Sequence, residues 1–360
     1  MKHKYGKRVA TVALTALVVA ALAGCSTVGA ATGGAAAGGA ATSGATAKDS
    51  GKKYKIVTVS KVEGISWFQI MSKGVDKFNA DNSSEVDAHQ TGPSKGDPAM
   101  QIAIIEDLIA QKVDAIIVVP NDPIGIAPVL QRARDAGIVV GVTEATKLVG
   151  TKAIDFDIEA FDNTTYGNGF AEQLIKAMNC KGKYATSVGL LTSESHMLWV
   201  AAANAYIAKK CPTMVNVTPT PVENENDDAK SRALADQLLS TYPDLGGYLA
   251  TTPSGGSGMA SALRDKNRKD VANVANTLPS VAGPDLKDGF LSAGQVWNPA
   301  GWGYALNQVA LTILKGGKPK TGDDLKWPGY ESVKVNGQAI EGNAILSFTP
   351  DTYADGKYPF

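Results

Sequence analysis

Three cysteines and three histidines in 360 residues leave little material for a metal centre. No pair or quartet of them has the spacing of a zinc site. No nucleophile elbow and no Walker-type loop with its lysine occur. Positive and negative side chains balance at 35 each, and no stretch concentrates the basic ones, so nothing marks a nucleic-acid partner. Aromatic residues make up only 7% and are scattered, not gathered on one stripe. Beyond the first 25 residues no long apolar run offers a membrane span. What remains is a chain large enough for two lobes of ordinary size.

The start of the chain is the most distinctive stretch. Lys2, Lys4, Lys7 and Arg8 precede an uncharged apolar run from Val9 to Leu22, and Leu22-Ala23-Gly24-Cys25 closes it. A basic start, a short apolar core and small residues before a cleavage point describe an export signal. The last four residues resemble the lipobox of bacterial lipoproteins. That resemblance implies that Cys25 is acylated, with palmitate among the acyl groups, and anchors the mature chain to the cell membrane from outside the cytoplasm. Residues 26–52 are Ala, Gly, Ser and Thr with almost no large apolar side chain. Such a stretch cannot offset its ordering entropy and reads as a tether. Cys180 and Cys211 are then an even pair in an oxidising compartment. Each follows a helix pattern in a βαβ arrangement, so a disulfide is expected, with two free thiols as the alternative.

From Tyr54 onward strands and helices alternate. Ile56–Val59 is a β-branched run, helical spacing covers Phe68–Phe78, and Val86–Gln90 is a weaker strand. Asp97-Pro98 starts a helix through Ile109, an N-cap followed by proline in the first turn. Val113–Val119 is nearly all apolar, as a parallel strand covered on both faces should be. A helix over Pro123–Ala136 and a strand over Ile138–Val142 follow. The pattern restarts after Asp162, with helices near 164–178, 197–209, 227–241, 256–266 and 280–289. Strands fall at 184–191, 214–218, 246–250, 271–276 and 292–296. A helix over Gly301–Leu314, a polar loop and a β-like tail over 331–348 end the chain. The fold class is α/β: two doubly wound parallel-sheet lobes. Ligands of such sheets sit beyond the carboxyl ends of the strands, so two facing lobes enclose a cleft.

Four stretches carry a resemblance to the type I periplasmic binding proteins, nearest the autoinducer-2 and rhamnose binders. They are Lys61-Val62-Glu63-Gly64-Ile65-Ser66-Trp67-Phe68, Gln111–Val118, Val296-Trp297-Asn298-Pro299 with Gly303-Tyr304, and Gly356-Lys357-Tyr358-Pro359-Phe360. The resemblance implies a three-segment hinge, placed near 158–162, 296–299 and 325–332. Lobe 1 would then hold 53–159 and 298–325, lobe 2 would hold 160–297, and 326–360 would be shared at the hinge.

A sugar presents hydroxyls and an apolar ring face, so its site needs paired donors and acceptors beside an aromatic surface. Lys61 follows the first strand and matches a ligand-contacting lysine of the autoinducer-2 binders. Trp67 or Phe68 would stack on the ligand, the other packing in the core. Asn121 and Asp122 follow the third strand, where capping the next helix is the alternative role. Thr143 falls where those binders have an aspartate, and Glu144 would supply the acceptor instead. Ser195 and His196 fall on their Asp-Gln ligand pair. Asp227 heads a helix, Pro253 opens a Gly-rich loop, and Asn298 sits at the second crossing. The expected function is capture of a sugar, sugar alcohol or related polyol and delivery to the permease of an ABC importer, by a monomer needing no cofactor or metal. A sensory binder presenting a sugar-like signal to a membrane receptor is the second reading, a surface-tethered enzyme the third.

Overall fold

The computed structural model describes residues 53–353 together with Tyr358 and Phe360. The export signal, Cys25, the 26–52 tether and Gly356, Lys357 and Pro359 lie outside the described residues. The first lobe runs β1 (Tyr54–Val59), α1 (Ser66–Asp81), β2 (Val86–Thr91), α2 (Pro98–Gln111), β3 (Ala115–Val118), α3 (Pro123–Asp135), β4 (Val139–Val142) and β5 (Phe156–Glu159). The second runs α4 (Asn163–Met178), β6 (Gly182–Val188), α5 (Glu194–Lys210), β7 (Met214–Asn216), β8 (Val222–Glu223), α6 (Asp228–Thr241), β9 (Leu245–Ala250), α7 (Pro253–Asp265), β10 (Ala272–Asn276), α8 (Pro279–Asp288) and β11 (Ala293–Val296). The chain then returns through α9 (Pro299–Leu314), β12 (Lys334–Asn336), β13 (Ala339–Glu341) and β14 (Leu346–Phe348).

Two sheets result, ordered β12-β13-β5-β4-β3-β1-β2 and β14-β11-β10-β9-β6-β7, with β8 beside β6. Strands β1 to β5 pair parallel, as do β6, β7, β9, β10 and β11. The chain is thus two doubly wound α/β lobes. β3 is buried at every position, which is why it reads as an unbroken apolar run.

The chain passes between sheets after β5 and after β11. The third passage lies between Glu341 of β13 and Leu346 of β14, not over 325–332. The first lobe therefore keeps the chain to residue 341, beyond the expected 325. The tail misled because its β-like residues divide into three strands of three residues, one pair for the first sheet and one strand for the second. α1 and α9 pack so closely that a Cβ on Gly74 would lie 1.8 Å from the Ala300 carbonyl oxygen. That contact fixes the returning helix α9 to the first lobe. In the second lobe Cys180 and Cys211 are bonded, Cα atoms 5.2 Å apart, joining the ends of α4 and α5.

Candidate functional site

β1 ends at Val59, and the next residues turn toward the other lobe. The buried amide of Gln101, on α2, anchors that turn. Its Nε2 donates to the Ser60 carbonyl at 3.0 Å and the Val119 carbonyl at 2.8 Å, and its Oε1 accepts from Asn121 N at 3.0 Å. Asn121 Nδ2 in turn donates to the Lys61 carbonyl at 2.9 Å. The loops after β1 and β3 are thereby one unit, and Lys61 and Asn121 stand side by side.

Lys61 forms an ion pair with Glu144, which follows β4. Both are nearly enclosed, 4% and 7% exposed, so neither charge is solvated and each needs the other. Glu144 adopts φ +54°, a left-handed conformation that is costly for a residue with a Cβ. The second lobe completes the pair. Lys61 Nζ donates to Ser193 Oγ at 3.0 Å, and Ser195 Oγ donates to Glu144 Oε2 at 2.8 Å. The same helix start makes three more bonds across the cleft. Thr192 Oγ1 donates to the Asn121 carbonyl at 3.0 Å, Thr146 Oγ1 to Glu194 Oε1 at 2.5 Å, and Lys147 N to Glu194 Oε1 at 3.0 Å. Ser193 occupies the N-cap position of α5 but caps nothing there, its hydroxyl being turned to Lys61.

His196 lies in the first turn of α5, one residue past Ser195. Its Nδ1 accepts from Gly189 N at 3.2 Å. Burial, and then the nearby Lys61 charge, hold its pKa well below the ordinary 6.5. The ring is neutral, with Nε2–H left as a donor.

Aromatic side chains gather where the first two crossings meet. Trp67, at the start of α1, meets Trp297 edge-on with ring centres 4.6 Å apart. Trp297 also packs against Phe161 at 5.1 Å and Trp302 at 5.3 Å, while Phe161 stacks on Tyr166 at 3.9 Å. Trp297 Nε1 is buried with no hydrogen-bond partner. Trp67 further lines a cavity of about 450 Å³ shared by Gly64, Ile65 and Ser66 of one lobe with Asn226, Pro253 and Ser254 of the other. A second interlobe cavity, about 520 Å³, lies between Val62–Glu63, the 94–98 turn and Leu190 with Glu225–Asp227.

The structure therefore brings together Lys61, Asn121, Glu144, Ser195 and His196, with Trp67 and Pro253 at the adjoining cavity. It distributes the other sequence candidates differently. Phe68 is buried in the first lobe, its carbonyl accepting from Gln90 Nε2 at 2.8 Å, and lines neither interlobe cavity. Thr143 is fully buried, accepting from Trp302 Nε1 at 2.9 Å and donating to the Ile158 carbonyl. It ties the β4 turn to α9 and leaves Glu144 as the polar group facing the cleft. Asp122 caps α3, accepting from Ile124 N at 3.1 Å and Gly125 N at 3.0 Å. Asp227 is exposed, caps α6 through Lys230 N at 2.7 Å, and lines the second cavity. Asn298 is half-buried and caps α9, accepting from Ala300 N at 2.9 Å. Thr192, Ser193 and Glu194 were not foreseen, because the strand was expected to run to 191 and the helix to start at 197. The capping pattern of a serine followed by a carboxylate at 193–194 was the available signal.

Two facing α/β lobes with polar rims that bond across a cleft, joined by three passages, define the architecture, and a model of the periplasmic binding protein domain matches residues 56–318. The chain belongs to this family. Among curated relatives, the D-ribose/D-allose-binding protein of Pseudomonas aeruginosa is 26% identical over 278 residues, covering 76% of this chain and 86% of its own. LsrB from Clostridium saccharobutylicum, solved in complex with AI-2, superposes with a TM-score of 0.75 at 18% identity, covering 82% of this chain and 98% of its own. A solute-binding protein from Clostridium phytofermentas with bound L-rhamnose gives 0.74 at 17% identity, with coverages of 83% and 97%. One from Burkholderia graminis in complex with D-arabinose gives 0.71 at 23%, with coverages of 85% and 98%. At these identities the solved neighbours speak for the fold of this periplasmic binding protein.

Proposed function

We propose that this protein captures a neutral sugar, sugar alcohol or related polyol between its lobes and hands it to the permease of an ABC importer, without chemical turnover. The observation that carries the reading is the charge state of the cleft. Lys61 is neutralised by Glu144, and His196 is uncharged. At this cluster a sugar acid or an amino sugar would meet no unpaired counter-charge. A polyol would find hydroxyl, amide, carboxylate and imidazole groups beside the Trp67 ring, the mixture that hydroxyls and a ring face need. The ribose- and allose-binding relative and the neighbours carrying rhamnose and arabinose support the same class of ligand. The functional chain acts as a monomer held outside the cytoplasm by acylated Cys25, and Asp122, Asp227 and Asn298 serve the rim of the site.

Thermal unfolding against a panel of pentoses, hexoses, 6-deoxyhexoses and polyols tests the reading. A ligand at a hundred times its Kd adds ~2.7 kcal/mol of stability. A panel that leaves the melting temperature unmoved refutes it. Mass spectrometry of the mature N-terminus checks the anchor: a diacylglyceryl-modified Cys25 is expected, and its loss in Cys25→Ala should release the protein from membranes.

A further inference from the structure

On the hinge side of the molecule, behind Glu144, a groove of about 520 Å³ opens between β5, the β12–β13 hairpin and the first crossing. Its floor carries Asp157 and Glu159, which share one face of β5 because strand side chains alternate. Asp157 is fully buried; the Ala145 backbone N–H lies near its carboxylate, as the Glu144 N–H does for Glu159, but no hydrogen bond of good geometry reaches either Asp157 oxygen. Glu159 Oε2 accepts from Asn163 Nδ2 at 2.8 Å, but its Oε1 has no such bond. The walls are mixed: Val149, Phe161, Leu198, Val335 and Ile340 form an apolar strip beside polar residues such as Thr146 and Asn336. Leu198, on α5, is 38% exposed, a large apolar side chain facing the opening.

The charged neighbours offer no counter-ion. Glu144 and Glu194 stand close enough to Asp157 to push its pKa up further, after burial. Asp162, Lys334 and Glu341 line the groove, and the Lys334 ammonium is given to Glu341 at 2.8 Å. Lys61, the only buried Lys or Arg among the described residues, is given to Glu144. Three buried acceptors therefore lack a well-formed hydrogen bond at one end of a groove with an apolar strip. A primary ammonium carries three N–H donors and a positive charge. A bare metal ion fits poorly: among the described residues no group of three or more acidic, histidine or cysteine side chains could hold one.

From this geometry we propose that the groove is a second binding site, for a small organic primary ammonium ion whose apolar body lies along Phe161 and Leu198. Its occupant touches both lobes, since Asp157 and Ile340 belong to the first and Leu198 to the second. The site stands apart from the polyol cleft and does not depend on that assignment.

n-Butylammonium chloride is the probe, titrated into the full chain by calorimetry and thermal melting, with potassium chloride and 1-butanol as controls. A ligand of this size reaches a Kd on the order of 1–10 mM. The expected result is a rise in melting temperature with n-butylammonium alone, with release of protons seen as a difference between two buffers of unlike ionisation enthalpy. Asp157→Asn should weaken binding at least about tenfold and abolish the proton release, while leaving any polyol response in place. Leu198→Lys, which tethers an ammonium at the groove, should raise the melting temperature and block the probe. No shift beyond that of potassium, or an equal response in Asp157→Asn, overturns the proposal.

Discussion

Two buried titratable groups pull stability in opposite directions with pH. Burial, then Glu194, push the Asp157 carboxyl from its ordinary 3.8 up to about 8. Between those values the folded chain holds a proton that the unfolded chain has released, so stability falls as pH rises from about 4 to 8. Glu159 shifts the same way, through burial first and Asp157 second. His196 is depressed by burial. Below its unfolded value of 6.5 the unfolded chain takes a proton that the folded chain refuses, so stability falls as pH drops through that point. With two raised carboxyls against one depressed imidazole, melting temperature should fall as pH rises from about 5 to 8, more steeply above 6.5, where His196 no longer offsets them. Asp157→Asn should flatten the decline toward pH 8, and His196→Gln, which removes the opposing proton uptake of the unfolded chain, should steepen the fall between about pH 5 and 6.5. Melting curves between pH 5 and pH 8.5 check both, and a wild-type profile that climbs steadily toward pH 8 contradicts the first. Of these groups only His196 could be singled out in the sequence, by its place after β6. Asp157 could not, because nothing in Phe-Asp-Ile-Glu reveals that both faces of that strand are covered.

At the scale of elements, Asn298 separates two roles. Its Oδ1 caps α9 through Ala300 N, and losing an Asn cap costs about 1 kcal/mol. Asn298→Ala should pay that cost, whereas Asn298→Asp keeps an accepting oxygen and should stay near wild-type stability. If the amide also donates to the ligand, both variants lose affinity, by about 1–3 kcal/mol where a ligand hydroxyl is left unpaired. Calorimetry with unchanged affinity in Asn298→Asp confines the residue to capping. The Cys180–Cys211 bond closes a loop with a sequence separation of 31. Chain entropy assigns such a loop about 3–4 kcal/mol, so Cys180→Ser with Cys211→Ser should lower the urea midpoint accordingly, and an unmoved midpoint would show the bond idle. Elements with an unbroken apolar run, such as β3, or a cap followed by proline, such as α2 and α3, were legible in the sequence. Strand β5 was not read as one, since Asp157 and Glu159 break its apolar run, and the β-like tail over 331–348 was read without its division into β12, β13 and β14, which are too short to show which sheet each joins.

Across the whole molecule, the hydrogen bonds over the cleft converge on a single helix start, that of α5. Lys61 and Glu144 belong to the first lobe and pair within it, so the ion pair exists before the cleft closes. Closure adds the Ser193 and Ser195 hydroxyls to those two charges, and Thr192 and Glu194 to the neighbouring loops. Alternation of strands and helices announced two lobes, but no local pattern could tell which helix start would cross the cleft. That depends on how the sheets face one another. A hydrogen bond to a charged group contributes about 1.5–3 kcal/mol. Removing the two serine hydroxyls leaves the pair buried on one side in the closed form, yet solvated in the open one. Ser193→Ala with Ser195→Ala should therefore shift the population toward open lobes and leave each lobe intact. Small-angle scattering should record a larger radius of gyration without ligand, and a saturating polyol should restore the compact value. Affinity should drop by the fraction of molecules no longer poised to close, as the conformational cost of binding requires. A double variant that scatters like wild type, with unchanged affinity, would mean that the closed form is held by the aromatic seam of Trp67 and Trp297 instead.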